Sequence, residues 1–252
     1  MPATFLTIWL VIAVAAPQNA PERPAITVSA AVSLTDALTA AAEAYGRTGG
    51  GTVRFNFAAS NVLARQIANG APVDLFISAD VAQMDVVAKA GLLMDRSRVN
   101  LLTNQLAVVV PSDRQRTFES IKDLTNPAYR RIAIGDPEAV PAGVYAKEYL
   151  EQEGLWATIE PRVVPSASVR AALAAVASGA ADAAIVYRTD ARISTRASIA
   201  WVVPADHGPK IVYAAAIVRT STLVADAQRF LDFLRSAAAQ QVFERFGFAT
   251  PR

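Results

Sequence analysis

The hydrophobic pattern of this chain alternates between short runs with a period of two and longer runs with a helical period. In "TVRFNFA", Val53, Phe55 and Phe57 alternate with Arg54 and Asn56, which predicts a strand. "NVLARQIANG" then predicts a helix ending at Gly70, "VDLFISA" a strand, and "DVAQMDVVAKAG" a helix ending at Gly91. Ahead of these, "ITVSAAVSLTDALTAAAEAY" passes from a β-rich run straight into an alanine-rich helical pattern. "NLLTNQLAVVVP", Asn100 to Pro111, predicts one long apolar strand whose end leads into a second lobe. The rhythm then restarts. "RRIAIGDPEAVPAGVYAKEYLEQEG" predicts a strand, a loop, and a helix with Pro141 in its first turn and Gly154 at its end. "PSASVRAALAAVASG" predicts a helix ending at Gly179, and "ADAAIVY" a strand ending at Tyr187. Two apolar strands follow in "IAWVVPADHGPKIVYAAAIV", and the C-terminal run "LVADAQRFLDFLRSAAAQQVFERFGF" predicts a pair of helices or one bent helix. Strands alternating with helices predict an α/β protein with largely parallel sheets.

The first residues do not fit that rhythm. An uncharged apolar stretch from Phe5 to Ala16, flanked by Ala-Val-Ala at 13–15, is too short to span a bilayer as a mature helix and resembles a secretory signal peptide over 1–20. Its n-region has no Lys or Arg, and a retained membrane anchor is the alternative reading. With 53% hydrophobic and 18% charged residues among 252, the chain can fill one large or two modest cores. Lys plus Arg number 24 against 22 Asp plus Glu, and they are scattered, which argues against a nucleic-acid surface. The absence of cysteine excludes disulfides, thiolate metal sites and cysteine nucleophiles. A single histidine, His207, excludes multi-histidine metal sites.

Four junctions place small residues, with a hydroxyl or a Pro-Ala-Gly turn, just before a helix. They are Ala31-Val32-Ser33, Ala58-Ala59-Ser60, Val140-Pro141-Ala142-Gly143 and Ser166-Ala167-Ser168-Val169. Unpaired N–H groups at a helix start can hold an anion without a cationic side chain, and a serine hydroxyl adds one more donor. For any one junction the structural alternative is an ordinary N-cap; Ser33 with Asp36, for example, has the spacing of a capping box. In open α/β sheets, however, ligands sit beyond the carboxyl ends of strands, where all four junctions fall. Tyr187, also at a strand end, is either a core tyrosine or a hydroxyl that closes the site. An enzyme is disfavoured: no G-x-S-x-G elbow occurs, and His207 sits in a turn-like Pro-Ala-Asp-His-Gly-Pro stretch. The acid pairs Asp74 with Asp80 and Asp136 with Glu138 read as solvated or capping carboxylates.

The segments "AAVSLTDAL", "FAASNVLARQIANGAPVDLFISAD", "IAIGDPEAVPAGVYAKEYL" and "AAIVYRTDA", in this order and spacing, resemble the periplasmic molybdate-binding proteins of bacterial ABC transporters. The resemblance runs from Ile26 to Phe248. It implies a type II periplasmic-binding-protein fold, with two lobes, each a mostly parallel sheet flanked by helices, joined by two crossing strands. Lobe I is expected at 22–104 plus 208–252 and lobe II at 105–207. By the same resemblance, molybdate or tungstate is held by the hydroxyls of Ser33, Ser60 and Tyr187 and the backbone N–H groups of Ala142 and Val169. No protein side chain ligates the metal, and no cofactor is implied. Val32 and Asn61 stand where smaller or hydroxylated residues are common, which bears on pocket size. The expected role is capture in the periplasm, as a monomer, and delivery to a membrane permease. Sulfate or another tetrahedral oxyanion is the alternative ligand. An anion-sensing regulator would need a DNA-binding module that the chain lacks.

Overall fold

The computed structural model describes residues 24–251, so the signal-peptide reading of 1–20 lies outside the described residues. The elements are β1 (Ile26–Ala31), α1 (Thr35–Arg47), β2 (Val53–Ala58), α2 (Ser60–Ala68), β3 (Leu75–Ser78), α3 (Val81–Lys89), β4 (Val99–Asn104) and β5 (Leu106–Pro111). They continue with β6 (Ile132–Gly135), α4 (Pro141–Gln152), α5 (Trp156–Ile159), β7 (Val163–Ser166), α6 (Val169–Ala177), β8 (Ala183–Tyr187) and α7 (Arg188–Ile193). β9 (Ala197–Val202), β10 (Ile211–Ile217), α8 (Val224–Leu234) and α9 (Ala237–Arg245) complete the chain.

Two five-stranded sheets result, ordered β2-β1-β3-β10-β4 and β7-β6-β8-β5-β9. β1, β2 and β3 pair in parallel, as do β6, β7 and β8, while β10 and β5 run antiparallel to both of their neighbours. Each sheet therefore has four co-directed strands and one reversed strand. The chain changes sheet twice, between Asn104 and Leu106 and between Val202 and Ile211.

The predicted single strand over 100–111 is thus two strands in different sheets. The polar Asn104–Gln105 pair breaks it. Asn104 Oδ1 accepts from the Gln105 N–H, and Gln105 gives its carbonyl to Arg188 N–H and its side-chain amide to the Val203 carbonyl. β7 is an edge strand that the pattern did not announce, because Pro165 and its exposed neighbours hide the alternation. The C-terminal run resolves into two helices, with Ser236 capping the second through the Ala239 N–H.

Side-chain alternation layers the first lobe. Along β10, Ala214 and Ala216 pack with Leu63, Ile67, Met84 and Val87 of α2 and α3, whereas Tyr213, Ala215 and Ile217 join the core that includes Leu38, Phe230 and Phe243. Fully burying a side chain such as Leu38 or Phe230 stabilises by about 1.5–3 kcal/mol. In the second lobe α4 and α6 both pack on β6 and β8. A close approach fixes the start of α4: a Cβ on Gly143 would lie 1.9 Å from the Gly135 carbonyl oxygen, so only glycine lets this helix end meet β6.

Candidate functional site

The carboxyl ends of the six parallel strands converge on one cavity between the two sheets. β1 delivers Ser33, β2 delivers Ser60, β3 delivers Ala79, the loop after β6 delivers Ala142, the bend after β7 delivers Val169, and β8 ends in Tyr187. All five residues singled out in the sequence therefore line the same space. They are almost sealed from solvent, at 4% exposure for Ser33, 1% for Ser60, 1% for Ala142, 4% for Val169 and 1% for Tyr187. The cavity offers about 10 Å³ to the centre of a water-sized sphere. Sites for organic ligands run to roughly 300–1,000 Å³, so this one suits a compact solute.

Ser33 is not an N-cap. It sits in a single 3-10 turn, Val32–Leu34, between β1 and α1, and neither helical start there is capped by a side chain. The Ser33–Asp36 capping box does not form: Ser33 Oγ lies 3.0 Å from the Tyr213 hydroxyl, and Asp36 reaches Arg170 of the other lobe at 2.7 Å. Ser60 is the first residue of α2, and its Oγ accepts from the Ala79 N–H at 2.9 Å. Because an amide N–H can only donate, the Ser60 hydroxyl proton is left for another acceptor.

The backbone donors are isolated by local chemistry. Pro141 at the first position of α4 has no N–H, and the Gly143 and Val144 N–H groups both bond to the Val140 carbonyl. That leaves the Ala142 N–H without a helical acceptor. At α6, Ser168 is an ordinary N-cap that accepts from the Ala171 N–H, so the structural reading holds for this serine. The Val169 N–H, three positions before the first intrahelical donor at Ala172, stays open.

Tyr187 supplies the clearest signal. Its hydroxyl is buried and has no hydrogen-bond partner among the described residues. Burial holds its pKa well above the usual tyrosine value, so it remains a neutral donor. Among the described residues no Lys or Arg lines the cavity. Arg170, next to Val169, is turned away and bonded to Asp190 and Asp36. Burial pushes the Asp190 carboxyl up to about 7, against the opposing pull of Arg170.

The other acids have structural tasks. Asp74 accepts from Thr27 N–H and Ser221 Oγ; Asp80 caps α3 through the Gln83 N–H; Asp136 accepts from Glu138 N–H. His207 is exposed on its loop. Among the described residues no cluster of His, Cys, Asp or Glu could hold a metal ion, and no helix is long and apolar enough to cross a membrane. Ala79 was not anticipated, although Ser78-Ala79-Asp80 before α3 repeats the small-residue design of the other junctions. Tyr213, which bonds to Ser33 Oγ, and Asn104, which bonds to Tyr213, stand behind the cavity lining and carry no local signal at all.

The strand ends thus gather neutral hydrogen-bond donors around one small cavity. Residues 26–249 match the family described as bacterial extracellular solute-binding protein. The chain belongs to this family. It is 40% identical over 227 residues to the molybdate-binding protein ModA of Escherichia coli strain K12, covering 88% of each chain. It is 35% identical over 234 residues to ModA of Haemophilus influenzae, covering 89% of each. Among solved structures, the periplasmic molybdate-binding protein of Azotobacter vinelandii superposes with a TM-score of 0.80 at 26% identity, covering 90% of this chain and 100% of that one. The family members are solute-binding proteins and not enzymes, and the two-lobed α/β fold is theirs.

Proposed function

We propose that this protein captures molybdate, and also tungstate, in the cavity between its lobes and delivers it to the permease of an ABC transporter. The observation that carries this reading is the buried Tyr187 hydroxyl, which among the described residues has no partner, in a cavity lined by two serine hydroxyls, two open helix-start N–H groups and, among those residues, no cation. Such a set can turn its protons toward one bound anion. A tetrahedral dianion offers oxygens in four directions, so donors arriving from five strand ends can surround it. Ser33, Ser60 and Tyr187 act through their hydroxyls, Ala142 and Val169 through their backbone. The ion leaves chemically unchanged, and no cofactor takes part. The relatives named molybdate-binding proteins support the choice of ion. The protein works as a monomer in the periplasm, exported by the leader at 1–20.

Calorimetric titration of the purified protein with molybdate, tungstate, sulfate and phosphate tests the reading. Molybdate and tungstate should bind at least a hundredfold more tightly than sulfate, a difference of about 2.7 kcal/mol. Equal or tighter sulfate binding would overturn the assignment.

A further inference from the structure

Tyr213 lies outside the ligand-binding set, yet among the described residues its hydroxyl is the one group placed on Ser33 Oγ. It sits on the crossing strand β10, fully buried, 180 residues from Ser33 in sequence. Its only hydrogen-bond partners among the described residues are Ser33 Oγ at 3.0 Å and Asn104 Nδ2 at 3.1 Å. The direction of these bonds follows from their neighbours. The Gln105 N–H can only donate, and at 2.9 Å it identifies Asn104 Oδ1 as the acceptor end of that amide. Asn104 Nδ2 then donates both its protons, one to Thr189 Oγ1 at 2.9 Å and one to the Tyr213 hydroxyl.

The Tyr213 oxygen is thus an acceptor from Asn104, and its own proton has one acceptor within reach, Ser33 Oγ. With the bond reversed, the tyrosine proton would be buried without a partner, which native interiors avoid. We infer that Tyr213, fixed by Asn104, is a positioning residue that occupies a lone pair of Ser33 Oγ and so turns the Ser33 proton toward the bound oxyanion. Ser60 is treated the same way by the Ala79 N–H. Both site serines are held as acceptors on one side so that they present donors on the other. The relay also reaches Thr189 of α7, so it ties the donor state of Ser33 to the point where the chain crosses between sheets. The inference rests on the proposed molybdate site.

A double-mutant cycle on molybdate affinity, measured by calorimetry, tests it. Tyr213→Phe, which keeps the ring against Tyr187, should weaken molybdate binding by about three- to tenfold when Ser33 is present. In the Ser33→Ala background the same change should have no effect beyond about twofold, because there is no hydroxyl left to orient. In the Ser60→Ala background the full loss should persist. Equal losses in all three backgrounds, or no loss with Ser33 intact, would overturn the relay while leaving the site standing. Disappearance of the loss beside Ser60→Ala as well would also overturn it. Wild-type protein that ignores molybdate, or a Ser33→Ala variant with wild-type affinity, would remove the site reading and the relay together. Should Tyr213→Phe not fold, Asn104→Ala in the same three backgrounds should give the same pattern of losses, and equal losses there would overturn the relay in the same way.

Discussion

Ser33 and Ser60 offer the ligand the same group, but the protein has built them in differently, and substitution should expose this. A hydrogen bond to a charged partner contributes about 1.5–3 kcal/mol, so Ser33→Ala and Ser60→Ala should each weaken molybdate binding by roughly ten- to a hundredfold. Their costs to the ligand-free fold come from different groups. Ser60→Ala strips the buried Ala79 N–H of its acceptor, and Ser33→Ala strips the buried Tyr213 hydroxyl proton of its acceptor while Asn104 goes on donating to the Tyr213 oxygen, so each should cost about 1–3 kcal/mol. Urea denaturation of both variants beside their titrations checks the two effects; unchanged affinity with lowered stability would mean that the serines are only structural. The five residues that line the cavity together could be picked out in the sequence because each lies in a short segment with its own pattern, such as V-P-A-G before a helix or I-V-Y ending a strand. The reading of Ser33 as one half of a capping box did not survive, since Asp36 is drawn to Arg170 across the cleft. Tyr213 and Asn104 were illegible because hydrogen bonds between residues 180 and 109 apart leave no periodicity behind.

At the level of elements, the parallel strands and their following helices could be read from periodicity and stop signals: helices end at Gly70 and Gly179 with φ of +84° and +77°, in the left-handed region that favours glycine. What periodicity could not supply was the sheet to which a strand belongs. β4 and β5 form one apolar run in sequence, and only the hydrogen bonds of Asn104 and Gln105 divide them. The start of α4 shows how an element boundary serves the site. Gly143 lets the helix end settle on the Gly135 carbonyl, and this packing sets where the Ala142 N–H stands. Gly143→Ala places a methyl group 1.9 Å from that oxygen, too close for any side-chain adjustment because the obstacle is backbone. The helix end must move away. The expected result is a loss of about 1–3 kcal/mol in stability by urea titration, together with a loss of molybdate affinity of more than tenfold. An alanine variant with wild-type affinity would show that Ala142 is not a ligand-binding donor.

Across the whole molecule, the two sheets repeat one topology, with the reversed strand fourth in each order and each reversed strand being the first to form after a crossing. The repeat brings six parallel strand ends face to face, and it brings Arg170 of one lobe against Asp36 of the other at the rim of the cavity. Behind this pair Asp190, buried and pushed up to about 7, keeps its proton in the folded chain at pH values where an unfolded aspartate with a pKa of 3.8 has lost it. The folded state then binds more protons than the unfolded one, so this group's contribution to stability falls as pH rises from about 4 to about 7 and is level above that. Asp190→Asn should therefore gain melting temperature relative to wild type through that window, and a difference independent of pH would contradict the sign. The same three residues bear on how the oxyanion's charge is met. Arg170 is the cation next to Val169, but its charge is already met by the Asp36 carboxylate and its guanidinium is also held by Asp190, so it brings no surplus positive charge to the cavity. The donors themselves are neutral and nearly sealed from solvent, and buried contacts are screened far less than exposed ones. Raising sodium chloride from about 0.05 M to 0.5 M should thus change molybdate affinity less than about tenfold. Whatever dependence remains should come from closure through the half-exposed Arg170–Asp36 pair, which at most contributes about 1 kcal/mol. Asp36→Asn should then lower affinity by less than about fivefold at low salt and flatten the series further. Calorimetric titrations of both proteins over the salt range decide it: a wild-type loss greater than tenfold, undiminished in the Asp36 variant, would mean that exposed cations and not the buried neutral donors hold the ion.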